Sequence, residues 1–331
     1  MKAKTGRMNS IQRMNDALVG LEAIQLAHER VRSVVVRTPL YSADALQDEL
    51  GGEVRLKLES LQRGGSFKIR GAYNFVAQIP EEERARGIIT YSSGNHAQAV
   101  ALAARLHGIR AVVVMPVTAP DVKRKGAERL GAEVVLEGTT SLHRKVRAEA
   151  IAAADGLVVV PPFDHPWIIA GAGTVGLEIA EDWDSPDTVV LPIGGGGLCS
   201  GSAAALRILR PDLTILGVEP VGAAAMRAAL DAGEPTTIDS VDSIADGLLP
   251  VRAGDLTFKH VREFVDDVVL VDDDAIRDAA ALLFSRQRLV VEFSGAATVA
   301  ALRSGLVETK GRKTVAVVSG GNIDPSVLTA L

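Results

Sequence analysis

Between residues 87 and 160, short runs of β-branched residues alternate with helix-like segments, and glycine or proline marks most of the switches. Ile88–Tyr91 reads as a strand, and a helix from about Asn95 to His107 is stopped by Gly108. Ala111–Met115 is a second strand, closed by Pro116, and a helix through Val122–Leu130 stops at Gly131. Val134–Leu136, a helix over about 140–154 and the strand Leu157–Val160 complete the series. Such runs are apolar at nearly every position, which is the pattern of parallel strands covered on both faces by helices.

A second series repeats this logic. A helix over 171–182 leads to strand Thr188–Ile193, a glycine run and a helix over 198–209. Strand Thr214–Val218, helix 221–232, strand Val268–Val271, helices 274–286 and 295–303 and strand Thr314–Val318 follow. A first helix spans about 15–33, the stretch 234–258 is the least regular, and no fixed-period repeat is present. The chain is therefore expected to be an α/β protein with two parallel-sheet domains and a ligand cleft at the strand C-termini.

Other classes are disfavoured. A length of 331 residues suits two domains of about 150 each. With 36 basic and 41 acidic residues the net charge is −5, which gives no reason to expect nucleic acid or an anionic membrane as partner. Cys199 is the single cysteine, so no intrachain disulfide can form, and no Cys/His cluster has metal spacing. The first twenty residues are polar and mixed in charge, unlike a signal peptide, and no run reaches membrane-spanning length. A cytoplasmic enzyme without a bound metal is expected.

The segment Ile193-Gly194-Gly195-Gly196-Gly197-Leu198 leaves a strand and opens a helix. Backbone without Cβ atoms can turn its N–H groups onto an anion, and the helix N-terminus adds partial positive charge. The spacing excludes two common phosphate loops, since Ser202 stands where a P-loop needs lysine and no G-x-G-x-x-G is completed from the run. A tight strand-to-helix turn is the plainer alternative, but four consecutive glycines cost too much chain entropy for a turn alone. Cys199, without a histidine partner suggested by the sequence, reads as a small residue in the first helical turn and not as a nucleophile.

Lys68, in Ser66-Phe67-Lys68-Ile69-Arg70-Gly71-Ala72, follows Gly64 and Gly65 where a helix should begin. The helix dipole disfavours a cation there, which helps keep the amine neutral and able to form an imine. Ser92-Ser93-Gly94-Asn95-His96 lies between a strand and a helix, and its hydroxyls, amide and N–H groups can receive a carboxylate. Simple N-capping by Ser93 or Asn95 is the alternative, and both can hold. Ser319, in Val318-Ser319-Gly320-Gly321-Asn322, closes a buried-looking strand.

Jointly, SFKIRGA, SSGNHAQA, GGGGL and SGGNID resemble the threonine dehydratase and serine racemase family of fold-type II pyridoxal-phosphate (PLP) enzymes. The resemblance runs from about Thr38 to Asp324 in the family's order. It implies a tryptophan-synthase-beta-like fold with a large PLP-binding domain (1–80 and 166–331) and a small domain (81–165). Carried over, Lys68 is the Schiff-base lysine with Phe67 beside it, and Asn95 contacts the cofactor's 3-hydroxyl. Gly194, Gly195, Gly196, Gly197 and Leu198 hold the phosphate, and Ser319 bonds the pyridine nitrogen. Ser92, Ser93, Gly94, Asn95 and His96 receive the substrate carboxylate, while Glu292 and Gly247 line the ring. A hydroxyl at the pyridine nitrogen, unlike a carboxylate, does not hold it protonated, which favours elimination of a β-hydroxyl over transamination.

The implied activity is dehydration of threonine or serine to a 2-keto acid and ammonia by a homodimer. An amino-acid racemase with Ser93 as second acid/base is the alternative, as is a dehydratase of another hydroxy amino acid such as 3-hydroxyaspartate. A non-catalytic PLP carrier would have no need of SSGNH. Phe163 matches the dehydratase form of a loop over the cofactor. The family's divalent-cation site is matched at Glu219, with Ala223 able to give a carbonyl, but Ala225 stands where an acid is expected. Ala172 replaces a common glutamine. The chain ends at Leu331, soon after SGGNID, so a regulatory domain and isoleucine feedback are not expected.

Overall fold

The computed structural model describes residues 17–92, 94–119, 121–139 and 141–328. Its strands are β1 (Leu40–Ser42), β2 (Glu53–Leu58), β3 (Ile88–Tyr91), β4 (Ala111–Met115), β5 (Glu133–Leu136), β6 (Val158–Val159), β7 (Thr188–Pro192), β8 (Thr214–Pro220), β9 (Asp267–Val271) and β10 (Lys313–Val318). They form a four-stranded sheet, β5-β4-β3-β6, and a six-stranded sheet, β1-β2-β10-β7-β8-β9. All pairings are parallel except β1 with β2, an antiparallel edge that the sequence pattern did not disclose.

Each sheet is covered on both faces, as the continuous apolar runs require. Ile89, Val112 and Val114 pack against Ala148 and Ala152 of helix Ser141–Asp155. The other face of the small sheet, with Ile88 and Val113, meets Ala97, Val100 and Ala104 of helix Asn95–His107. Ile69, Ala72 and Phe75 of helix Lys68–Val76 join that same cluster, so the helix bearing Lys68 is packed against helix Asn95–His107.

Helix Pro166–Asp182 starts five residues before the expected Gly171, because Pro166 occupies the first turn and the His165 ring accepts the Trp167 N–H at 3.1 Å. Small residues then let it approach its neighbours. A Cβ on Gly171 would lie 2.5 Å from the Arg70 carbonyl, and one on Gly176 would lie 2.4 Å from the Ser202 carbonyl. This one buried helix thereby fixes helix Lys68–Val76 against helix Gly197–Leu209.

A buried ion network locks the same arrangement. Arg70 is fully buried and binds Glu59 at 2.8 Å and Glu178 at 2.7 Å, and Glu178 also takes Lys57 at 2.7 Å. Burial pushes the Glu59 carboxyl upward, but Arg70 beside it wins and holds it below the usual range. Such a network contributes little net energy when intact, yet removing one partner strands a buried charge, so it specifies geometry.

Candidate active site

The segments singled out from the sequence converge where the strands of both sheets end. Lys68 is the first residue of its helix, as the dipole reading required. The Phe67 N–H donates to the Ser319 carbonyl at 3.1 Å and Ser66 forms a bridge with Gly320, so the lysine segment is stitched to the end of β10. The Lys68 amine donates to the Pro162 carbonyl at 3.0 Å. Burial draws its pKa down to about 8, although Glu292 opposes the shift. An appreciable neutral fraction is therefore present near neutral pH.

The glycine loop follows β7. Gly196 has φ +94°, a left-handed conformation open to glycine, and it caps helix Gly197–Leu209. A Cβ on Gly195 would lie 2.2 Å from the Phe163 ring, and one on Gly194 would lie 2.9 Å from the Gly247 carbonyl. The Thr257 hydroxyl donates to the Gly195 carbonyl at 2.7 Å. Gly195 to Leu198 are buried, and their N–H groups have no acceptor among the described residues. Buried N–H groups are normally paired, so this cradle fits an anion such as a phosphate. Cys199 is fully buried and its thiol pKa is pushed up by burial, which removes it as a nucleophile.

The third segment caps helix Asn95–His107 through Gly94, not through Asn95, which is the first helical residue. Instead, the Asn95 amide donates to Glu292 at 2.6 Å and accepts from Asn322 at 2.8 Å, and Asn322 also donates to the Gly64 carbonyl at 2.8 Å. One Nδ2 hydrogen of Asn95 remains for a ligand. The N–H groups of Asn95, His96 and Ala97 have no acceptor among the described residues, while Gly94 donates to the Ser92 hydroxyl at 3.3 Å. Ser93 lies outside the described residues. His96 is buried, and burial drops its pKa to about 3, so it stays neutral; its Nδ1 has no partner among the described residues. Burial raises the Glu292 carboxyl against its bond to Asn95. Lys123 forms an ion pair with Asp246 across the opening.

Ser319 is buried to 4% exposure directly after β10, and its hydroxyl has no partner among the described residues. Lysine, unpaired anion cradle and strand-end hydroxyl fit a phosphorylated pyridine aldehyde. The Glu219 carboxylate accepts the Met226 and Arg227 N–H groups at 2.8 Å each. Burial raises its pKa to about 7 against those bonds. No group of three metal-ligating side chains occurs among the described residues, and no described helix is long and apolar enough to cross a membrane.

Sequence reasoning missed the Pro162 carbonyl, Asp164, Thr257 and Met226. Only Gly254 followed by the acidic Asp255, a helix-start signal, could have drawn attention to the helix bearing Thr257.

Comparison with known proteins identifies the family. Residues 31–320 match the family described as pyridoxal-phosphate dependent enzyme. The chain is 43% identical to the L-threonine ammonia-lyase of Thermotoga maritima, over 94% of this chain and 77% of that protein. It is 40% identical to the catabolic L-threonine dehydratase of Escherichia coli K12, over 94% and 95% of the two chains. Maize serine racemase superposes with a TM-score of 0.91 at 37% identity, covering 95% of this chain and 97% of its own.

Proposed function

This chain belongs to the pyridoxal-phosphate dependent enzymes, and we propose that it is a threonine/serine dehydratase, an ammonia-lyase that converts a β-hydroxy amino acid to a 2-keto acid and ammonia. The observation that carries the reading is a lysine amine with a pKa near 8 set between two sets of backbone N–H groups that are unpaired among the described residues, one at Gly195–Leu198 and one at Asn95–Ala97.

Bound there through Lys68, pyridoxal phosphate supplies the electron sink that makes the α-proton of an amino acid acidic. Gly194 to Gly197 and Leu198 would hold its phosphate, Phe67 would pack beside Lys68, and Ser319 would meet the ring nitrogen with an uncharged hydroxyl. Asn95 would offer its free amide hydrogen to the ring hydroxyl. The substrate carboxylate would be received at Ser92, Ser93, Gly94, Asn95 and His96. Freed of the cofactor, the neutral Lys68 amine takes the α-proton, and the ammonium so formed can return a proton to the departing β-hydroxyl. Phe163 on the glycine loop and the 40% and 43% identities to threonine dehydratases support dehydration over inversion.

The finer assignments follow the same family logic: a cytoplasmic homodimer, with a large domain of 1–80 and 166–331 and a small domain of 81–165. The serine-racemase likeness favours one second reading, inversion with Ser93 as the acid/base opposite Lys68. Assaying keto acid, ammonia and inversion across L- and D-β-hydroxy amino acids decides between them. Keto-acid formation from L-threonine or L-serine should dominate, and Ser93→Ala should remove inversion while sparing dehydration. Lys68→Ala should abolish turnover and the borohydride-reducible cofactor linkage. A fully active Lys68→Ala variant would end the assignment.

A further inference from the structure

The loop from Pro161 to His165 joins β6 to helix Pro166–Asp182, and four consecutive residues of it are tied to four different places. Pro162 gives its carbonyl to Lys68 at 3.0 Å. The Phe163 ring occupies the space a Cβ on Gly195 would need, and Phe163 also borders Gly197 at 3.2 Å from such a Cβ. The Asp164 carboxylate accepts the N–H groups of Asp255, Leu256 and Thr257, each at 3.0 Å. His165 caps its own helix at Trp167.

We infer that Asp164 is a positioning residue: by gripping the start of helix Asp255–Phe264 it holds the Pro162 carbonyl on Lys68 and the Phe163 ring on the glycine loop. Asp164 itself touches neither the lysine nor the cradle, so it acts through its two predecessors. A carboxylate suits the task, because the helix start offers three unpaired donors and partial positive charge, which a short anion with two oxygens satisfies. Gly254 is what admits it: a Cβ there would lie 2.3 Å from the Asp164 Oδ1. The grip is two-sided, since Thr257 in that same first turn donates its hydroxyl to the Gly195 carbonyl at 2.7 Å. One helix start therefore braces the loop that covers the cradle and the backbone of the cradle itself. The Pro162 carbonyl favours the charged form of the free Lys68 amine, which also faces Glu292 and His96.

The inference rests on Lys68 as the cofactor anchor and is tested on the holoenzyme. Asp164→Ala should release cofactor into a large dilution about tenfold faster, the scale of a lost helix cap. It should also move the acid limb of kcat to lower pH, because the free Lys68 ammonium loses its carbonyl acceptor. Gly254→Ala, which pushes a methyl group into the carboxylate, should reproduce both changes with Asp164 intact. Asp164→Asn, which keeps an acceptor oxygen for Leu256 and Thr257, should fall between. Should Asp164→Ala fail to fold, Gly254→Ala and Asp164→Asn carry the test alone. Wild-type release and a wild-type acid limb in these variants, even with a lowered melting temperature, would leave Asp164 a helix cap and overturn the inference. A wild-type chain in which borohydride fixes no cofactor to Lys68 would instead overturn the parent reading.

Discussion

The junctions from β3 to helix Asn95–His107 and from β7 to helix Gly197–Leu209 are alike, each a parallel strand followed by a helix whose first N–H groups are unpaired among the described residues. Their surroundings differ. The glycine loop is buried and braced by Phe163, Thr257, Met226 and the Gly247 backbone, with no room for a Cβ. At the other junction a Cβ on Gly94 would find only Lys123, at 3.6 Å, and Ser92 and Gly94 are partly exposed. A receptor walled in by rigid neighbours suits a ligand that stays, and one open on a side suits a ligand that comes and goes. On the proposed assignment, one backbone device would serve a cofactor phosphate and a substrate carboxylate by changing only what packs around it.

The strongest challenge to this contrast is Gly195→Asp. The new Cβ would collide with Phe163 and the carboxylate would face the anion cradle. A like charge in a desolvated site costs several kcal/mol, so cofactor affinity should fall by about a thousandfold or more. Equilibrium dialysis measures it, and unchanged retention would place the phosphate elsewhere.

Gly94→Ala is the matched change at the open junction. Nothing rigid blocks the methyl group, so cofactor retention should stay at the wild-type level. The methyl group crowds the carboxylate donors, and KM for the amino acid should rise about tenfold, the scale of one weakened charge-assisted hydrogen bond. If this variant instead sheds cofactor, the two junctions do not divide their labour in this way.

The difference between the junctions also explains what the sequence disclosed. Both turns were legible because glycines and strand-end serines are local demands of the backbone, and Lys68 stood out as a lysine at a helix start, while its proposed role came from the family resemblance. What braces them was not. Asp164 lies 91 residues before the N–H it caps at Asp255, and Thr257 lies 62 after Gly195, so no local pattern links them. β2 was overlooked although Val54, Leu56 and Leu58 alternate, since Arg55 and Lys57 between them read as surface charges. Lys57 is in fact fully buried, because Glu178, far along the chain, pairs with it. The parallel strands β3, β4, β7, β8 and β10 were found where expected, to within a residue or two at their ends, since burial on both faces leaves a continuous apolar signature.

The smallest expected effect concerns pH. The glycine loop meets Phe163, Thr257 and Met226, none of which titrates in the working range, whereas the open junction faces Lys68, His96 and Glu292. His96 cannot supply a limb near neutrality, since burial holds its pKa at about 3. Lys68 can. Burial lowers its pKa from 10.5 to about 8, and only the neutral amine takes a proton, so kcat should rise with pH through a midpoint near 8 and level off above it. The phosphate of a bound monoester is already fully ionised above about pH 7, its second pKa being near 6. Binding of pyridoxine phosphate to the apoprotein, which carries the monoester but no aldehyde to link to Lys68, should therefore stay nearly flat from about pH 7 to 9.5 while kcat of the holoenzyme climbs. Measuring both over that range, on apoprotein and holoenzyme of the same chain, separates the junctions without any mutation. A pyridoxine phosphate affinity that tracked kcat would tie the phosphate cradle to the lysine's ionisation and erase the distinction.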